Sequence, residues 1–290
     1  MSSRYQDAMA IVREKGKPDL FVTFTCNPKW LEIVEELLPG QQAEDRPDIA
    51  ARVFKMKLDE LIKDIDQRKI FGKVAAQIHV VEFQKRGLPH VHILLILEEK
   101  IVNVDQVEGF VRVEIPQDAE LRGIIMKQMY HRCKKGFCLT DDNPNVCSKG
   151  FPKDFASSTA WNDEDTHPTY RRRSAAAGGF AGEDDTGRSH DSSRVVPYNP
   201  YLSKKYDAHI NVEVCSSTKA CKYLFKYIHK GGDRAMVRTD ASAGAQEARA
   251  RNEIDEYHDA RSIGACEAAW RLFAFPLADC TPPVHVEPGG

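Results

Sequence analysis

The run His-Val-His-Ile-Leu-Leu-Ile-Leu, residues 90 to 97, constrains the fold more than any other stretch of the chain. It is short, strongly apolar and β-prone, as a central strand must be. Lys73 to Gln84 before it is also β-rich, and Lys85 to Pro89 between them reads as a turn. Together they predict a hairpin of central strands.

Other elements follow from the same periodicities. Tyr5 to Glu14 is helical and stops at Gly16; Leu20 to Thr25 is a short strand. Pro47 to Arg68 spaces Val53, Met56, Leu61 and Ile65 as an amphipathic helix. Leu121 to Tyr130 is helical, Ala208 to Cys215 is a strand with one polar face, and Ala265 to Phe273 is a final helix. Ser216 or Ser217 can cap a helix that Gly231-Gly232 ends. Ser174 to Arg194 has little to bury and reads as a mobile loop, Thr239 to Arg249 as a linker, and the Pro/Gly-rich end as a loose tail. Strands and helices are mixed around a hairpin, so the expected class is an α+β sheet fold and not a doubly wound parallel one.

With 290 residues and 42% hydrophobic content, the chain can bury a substantial core as one elaborated domain or two small ones. The net charge of −2 announces no nucleic-acid binder, but basic residues collect at Lys85-Arg86, Lys134-Lys135 and Arg171-Arg172-Arg173, leaving room for a local basic groove. No apolar run reaches the roughly 20 residues that span a bilayer. Met1 to Lys17 has no signal-peptide apolar region. A soluble, intracellular protein with no membrane partner is expected, and its eight cysteines are too scattered for a disulfide framework.

Residues two apart on a strand point the same way, so His90 and His92 share a face. On the preceding strand Glu82 shares its face with Ile78 and Val80, and Gln84 has the same parity. Across a short turn Glu82 falls beside the histidines, giving a three-point site with open positions for Mg²⁺ or Mn²⁺. Two strand histidines with ordinary hydrogen-bond partners would look the same in isolation, but an ionisable Glu in an apolar hairpin favours the metal reading.

Tyr223 and Tyr227 lie one turn apart on a helical stripe with Ala220, Leu224 and Ile228. Core aromatics would show this spacing too. The flanking row of Lys222, Lys226 and Lys230 argues for an anionic ligand, because like charges four residues apart oppose helix formation unless something offsets them. Phosphate would, and lysine would also stabilise a phenolate or a pentavalent phosphorus centre. His209, Asn211 and Glu213 on the preceding strand offer supporting contacts or a solvated face. A further group, His131, Cys133, Cys138 and Cys147, supplies four ligands for one closed, structural zinc, or else unrelated thiols in a loop.

Taken together, the sequence resembles the Rep endonuclease domain of Helitron transposases, a branch of the HUH rolling-circle nucleases. The matching stretches are Tyr5 to Trp30 (YQDAMAIVREKGKPDLFVTFTCNPKW), Glu82 to Leu97 (EFQKRGLPHVHILLIL), Cys147 to Phe155 (CSKGFPKDF), His209 to Gly231 (HINVEVCSSTKACKYLFKYIHKG) and Glu267 to Leu277 (EAAWRLFAFPL). The resemblance implies an HUH-type antiparallel β-sheet core flanked by helices, with a Cys/His-rich insert. It implies that His90, His92 and Glu82 bind the divalent ion, that Tyr223 and Tyr227 are nucleophiles, and that the protein works on DNA in the nucleus. The expected organisation is a first half of the core over 1–101, an insert over 102–173, a flexible loop over 174–195, a second half of the core over 196–275 and a tail over 276–290.

The expected function is metal-dependent nicking and joining of single-stranded DNA through a 5′-phosphotyrosine, with Lys85, Arg86, Lys222, Lys226 and Lys230 on the phosphates. The alternatives are a nuclease-dead remnant that binds single-stranded DNA and a phosphoesterase that uses water. Helitron proteins usually continue into a helicase, yet no Gly-x4-Gly-Lys-Ser/Thr loop occurs here. Unwinding is therefore expected from a separate domain or protein.

Overall fold

The computed structural model describes residues 3–83, 87–135, 138–139, 144–161, 168–183, 187–215 and 263–283. In chain order its elements are α1 (Ser3–Lys15), β1 (Leu20–Thr25), α2 (Leu31–Val34), α3 (Pro47–Asp66), β2 (Val74–Phe83) and β3 (Pro89–Leu97). Then come α4 (Val104–Phe110), α5 (Ala119–Ile124), β4 (Gly182–Glu183), β5 (Ser189–His190), α6 (Pro200–Tyr206), β6 (Ile210–Val214), α7 (Ala265–Leu272) and β7 (Ala278–Thr281). The fold is mixed α+β. Its main sheet has five strands in the order β6-β1-β3-β2-β7, and every neighbouring pair is antiparallel.

β3 is the middle strand, and both of its faces are covered along most of its length. Its odd-numbered residues Val91, Ile93, Leu95 and Leu97 join Val22 and Phe24 of β1 and Ile210 and Val212 of β6 in the main core. α3 closes that face because Ala50, Phe54, Leu58, Leu61 and Ile65 recur every three or four residues and form one buried stripe. α7 lies beside it and drives Trp270, fully buried, against Phe54 and Phe83.

The other face is divided. Leu94, Ile96 and Ile78 are covered by α1 through Ile11. Further along the same strands the residues turn polar, and no helix among those described replaces α1 there. The insert does so instead. It carries a small core of its own, in which Leu121, Ile125, Met126 and Met129 pack with Val195 and Tyr198. Bridges from Arg112 and Asn211 to Tyr198 and from Tyr130 to Val195 tie it to the chain that leads into β6.

Three segments hold local structure that their sequence does not announce. Among the described residues, 174–195 carry a 3-10 turn at Ala175–Ala177, the β4–β5 ladder, and a second 3-10 turn at Ser192–Arg194. Polar contacts hold this segment where apolar residues are scarce. The buried Ser192 hydroxyl accepts from the Ile115 N–H at 3.0 Å, and Gly182 lets the backbone approach so closely that a Cβ there would lie 2.8 Å from the Met126 sulfur. The segment from 276 is not wholly loose either, because β7 pairs with the outer edge of β2 and carries the sheet past residue 275. Finally, the helix expected over Leu121 to Tyr130 is α5 followed by a π turn at Ile125–Met129.

Candidate metal centres and the cleft between them

The hairpin register decides what meets on the polar face. Glu82 is the direct cross-strand partner of His90, and Val80 that of His92. Glu82 Oε2 lies 3.5 Å from His90 Nε2 and 4.0 Å from His92 Nε2, and one ligand atom from each of the three residues falls within 4.8 Å of the others. Thr23, opposite His92 on β1, hydrogen-bonds its Nδ1 at 3.0 Å, which leaves Nε2 facing the carboxylate. Phe21 stacks on the same imidazole at 5.5 Å. Burial pulls the His92 pKa down to about 4, helped by His90 and opposed by Glu82, so the ring is neutral at neutral pH. A neutral imidazole is the form that binds metal.

These residues fit a divalent cation. Glu82 Oε1 and His90 Nδ1 are buried and have no hydrogen-bond partner among the described residues. A buried carboxylate in that position needs a positive partner. Two imidazoles and a carboxylate form a donor set that divalent metals accept, with positions left open for other ligands.

The second cluster lies in the insert. One ligand atom from each of His131, Cys133, Cys138 and Cys147 falls within 4.8 Å of the other three. Cys147 Sγ is 3.2 Å from His131 Nε2, and the Lys134 N–H points at Cys138 Sγ at 3.3 Å. Burial raises the Cys147 pKa, but hydrogen bonds from the backbone N–H groups of Phe151 and Lys149, and from Cys133 and Cys138, together outweigh it. Burial, with Cys147 and Cys138, pushes Cys133 the other way. Burial, with Arg194 and Lys149 nearby, lowers His131. A thiol biased toward thiolate and a ring biased toward neutrality suit a metal. Three sulfurs and one nitrogen match a closed tetrahedral zinc site.

The two centres border one cleft of about 910 Å³. Its floor is the polar sheet face, where Thr25 stands between His90 and His209 and Thr23 between His92 and Asn211. Its far wall belongs to the insert. The Tyr170 hydroxyl donates to Glu213 at 2.9 Å and accepts from the Val214 N–H at 2.9 Å, stitching that wall to β6. Behind it the buried Arg172 guanidinium donates to the carbonyls of Val113, Ser192 and Val195. Burial lowers its pKa to about 10, against the pull of Glu213, Glu114 and Asp191, so it remains charged at neutral pH.

The arginine triplet therefore does not form the basic patch that its sequence suggests. Arg171 and Arg173 pair with Glu108 and Glu114 at 3.1 and 2.7 Å, and Arg172 faces inward. The positive side chains that do reach the cleft include Lys149 and Lys153, which sequence reasoning passed over. They flank Phe151 in the stretch CSKGFPKDF, and an aromatic between two lysines was the available signal. Thr23 and Thr25 were marked only by their alternation in β1. Tyr223, Tyr227, Lys222, Lys226, Lys230, Lys85, Arg86 and Gln84 lie outside the described residues.

Residues 1–95 match the family model for the Helitron helicase-like domain at N-terminus. The matched stretch runs from α1 into β3 and includes Glu82, His90 and His92. No curated protein matches the chain. No helix among the described residues is long and apolar enough to cross a membrane.

Proposed function

We propose that this chain is an HUH-type, metal-dependent endonuclease and strand transferase for single-stranded DNA, acting in rolling-circle transposition. The observation that carries the proposal is the meeting of Glu82 with His90 and His92, two histidines that line a cleft large enough for DNA components. The Helitron match over the same strands supports it.

On this reading Glu82, His90 and His92 hold Mg²⁺ or Mn²⁺, with the two imidazoles favouring Mn²⁺. When bound there, such an ion would supply positive charge to the scissile phosphate. Tyr223 or Tyr227 provides the nucleophile. Tyr223 follows Cys215 at the end of β6 by eight positions, so chain length alone keeps it within about 27 Å of that strand. The phenolate oxygen bonds to phosphorus as the P–O3′ bond breaks, and the departing 3′ oxygen takes up a proton. The products are a 5′-phosphotyrosine and a free 3′-OH. A 3′-OH attacking that phosphotyrosine reverses the step and joins strands, and a second tyrosine permits another cleavage while the first is occupied.

His131, Cys133, Cys138 and Cys147 hold a structural zinc that keeps the insert folded over the cleft. Duplex unwinding falls to a helicase domain or protein, and the site of action is the nucleus. The proposal is tested by incubating the zinc-loaded protein with single-stranded oligonucleotides, with Mn²⁺ added or omitted, and resolving the products on a denaturing gel. Cleavage and a protein–DNA adduct in Mn²⁺ alone are expected. DNA binding without either would mark a nuclease-dead binding protein.

A further inference from the structure

The metal-binding reading uses only one side of the cleft. A metal ion and a phosphate need far less than about 910 Å³, a volume in the range of pockets that hold organic ligands. What lines the remainder is chemically specific. Asn211 sits two strands from His92, in register through Thr23, so about 10 Å separates them at ordinary strand spacing. Its Oδ1 is buried and has no hydrogen-bond partner among the described residues. Buried acceptors are almost always satisfied, so an unpaired one on a residue that lines a cleft points to a ligand that donates. A carboxamide presents a donor and an acceptor side by side, as the edge of a nucleobase does. Tyr170 and Phe151 add aromatic surface, and Lys149 and Lys153 place positive charge on the same cleft wall.

We propose that the cleft seats one unpaired nucleobase of the DNA strand between β6 and the insert, with its edge on Asn211 and its neighbouring phosphates near Lys149 and Lys153. This rests on the single-stranded DNA reading above and adds the base as a recognised group. Single-strand binders combine stacking surfaces with a basic track, and the separation from His92 suits a base whose own or adjacent phosphate lies at the Glu82–His90–His92 site. Asn211 is then a specificity residue set apart from the metal centre.

The test uses the full chain with its zinc retained and without added Mg²⁺ or Mn²⁺, so that binding is read without cleavage. Fluorescein-labelled (dA), (dC) and (dT) strands of about 15 nucleotides, and an all-abasic strand of equal length, are titrated by anisotropy. At least one base-bearing strand is expected to bind about fivefold or more tighter than the abasic strand, and Asn211→Leu to remove most of that difference while leaving abasic-strand binding unchanged. A melting curve establishes that the variant is folded. Independently, the wild-type protein is photocrosslinked to a strand carrying 4-thiothymidine, with adducts expected on Phe151, Tyr170 or His209. Equal binding of base-bearing and abasic strands, or adducts that all lie away from the cleft, would overturn the base pocket and leave the DNA reading standing. Binding of no strand at all would overturn both. Cleft adducts from a protein that never cleaves DNA would uphold the pocket and remove the nuclease.

Discussion

Glu82 and His90 face one another across the β2–β3 ladder, carboxylate oxygen to imidazole nitrogen at 3.5 Å, and His92 completes the trio two residues further along β3. The arrangement is rigid because β3 is the central strand and because Thr23 and Phe21 hold the His92 ring from β1. Replacing both histidines with alanine should lower cleavage by at least about a hundredfold, since charge stabilisation at the phosphate is lost. DNA binding should be nearly unchanged, because phosphate affinity comes from lysine and arginine. His92 is buried, so a stability loss of about 1–3 kcal/mol is expected and is measured first by thermal melt. Wild-type cleavage by the folded double variant would remove the metal assignment.

Zinc should be present at about one per chain in protein purified without chelator, bound by His131, Cys133, Cys138 and Cys147. Cys138→Ser should lose it and make the segment between residues 131 and 151 more sensitive to protease, because the metal supplies folding energy to a polar loop. Metal analysis that finds no zinc on folded protein with reduced thiols would end that assignment and leave the nuclease reading intact.

Asp64 predicts a stability effect far from the cleft. Its carboxylate is fully buried and accepts from Lys205 at 2.7 Å, Arg68 at 2.7 Å and the Tyr206 hydroxyl at 2.6 Å, joining α3 to α6. Asp64→Ala should cost about 1–3 kcal/mol, because it strands the buried Tyr206 hydroxyl and removes the carboxylate from the partly exposed Lys205 and Arg68. Burial alone would raise the Asp64 pKa, but Lys205, Tyr206 and Arg68 hold it below its ordinary value of 3.8. A depressed carboxyl pKa contributes stability that is full above 3.8 and is lost as the pH falls from there through the folded value. Urea titrations at neutral pH and below pH 4 should therefore show the gap between wild type and variant narrowing in acid. A gap that does not change with pH would contradict this.

Much of the site's floor was legible in the sequence because strand parity is simple. Once residues 73 to 97 read as a hairpin, the period of two put Glu82, His90 and His92 on one face, and the same rule put His209, Asn211 and Glu213 on one face of β6. The sequence does not say that these two faces are the same side of one sheet, because that depends on β1 lying between them. β7 escaped notice because Ala-Asp-Cys-Thr is short and lies at an edge, where little burial marks it. Arg172 was hidden for a different reason: three arginines in a row look like surface charge, and only the carbonyls of Val113, Ser192 and Val195 reveal the middle one as interior. Loop closure over 174–195 rests on backbone and hydroxyl hydrogen bonds, which leave no hydrophobic pattern to read.

Tyr223 and Tyr227 should act unequally. On a helix they are offset by about 6 Å along the axis, and one bound ion can align one phosphate for in-line attack at a time. Tyr223→Phe and Tyr227→Phe should therefore reduce first cleavage to different extents. Equal losses would contradict that offset argument.

The most direct test of the central claim is the covalent intermediate itself. Wild-type protein and the Tyr223→Phe, Tyr227→Phe double variant are incubated with single-stranded DNA and Mn²⁺, and the adduct is quantified on a denaturing gel and located by peptide mass spectrometry. The wild type should carry DNA on a peptide containing Tyr223 or Tyr227, and the double variant, which loses two hydroxyls and little else, should form none. Undiminished adduct in the double variant would show that neither phenol is the nucleophile and that the proposed chemistry is wrong.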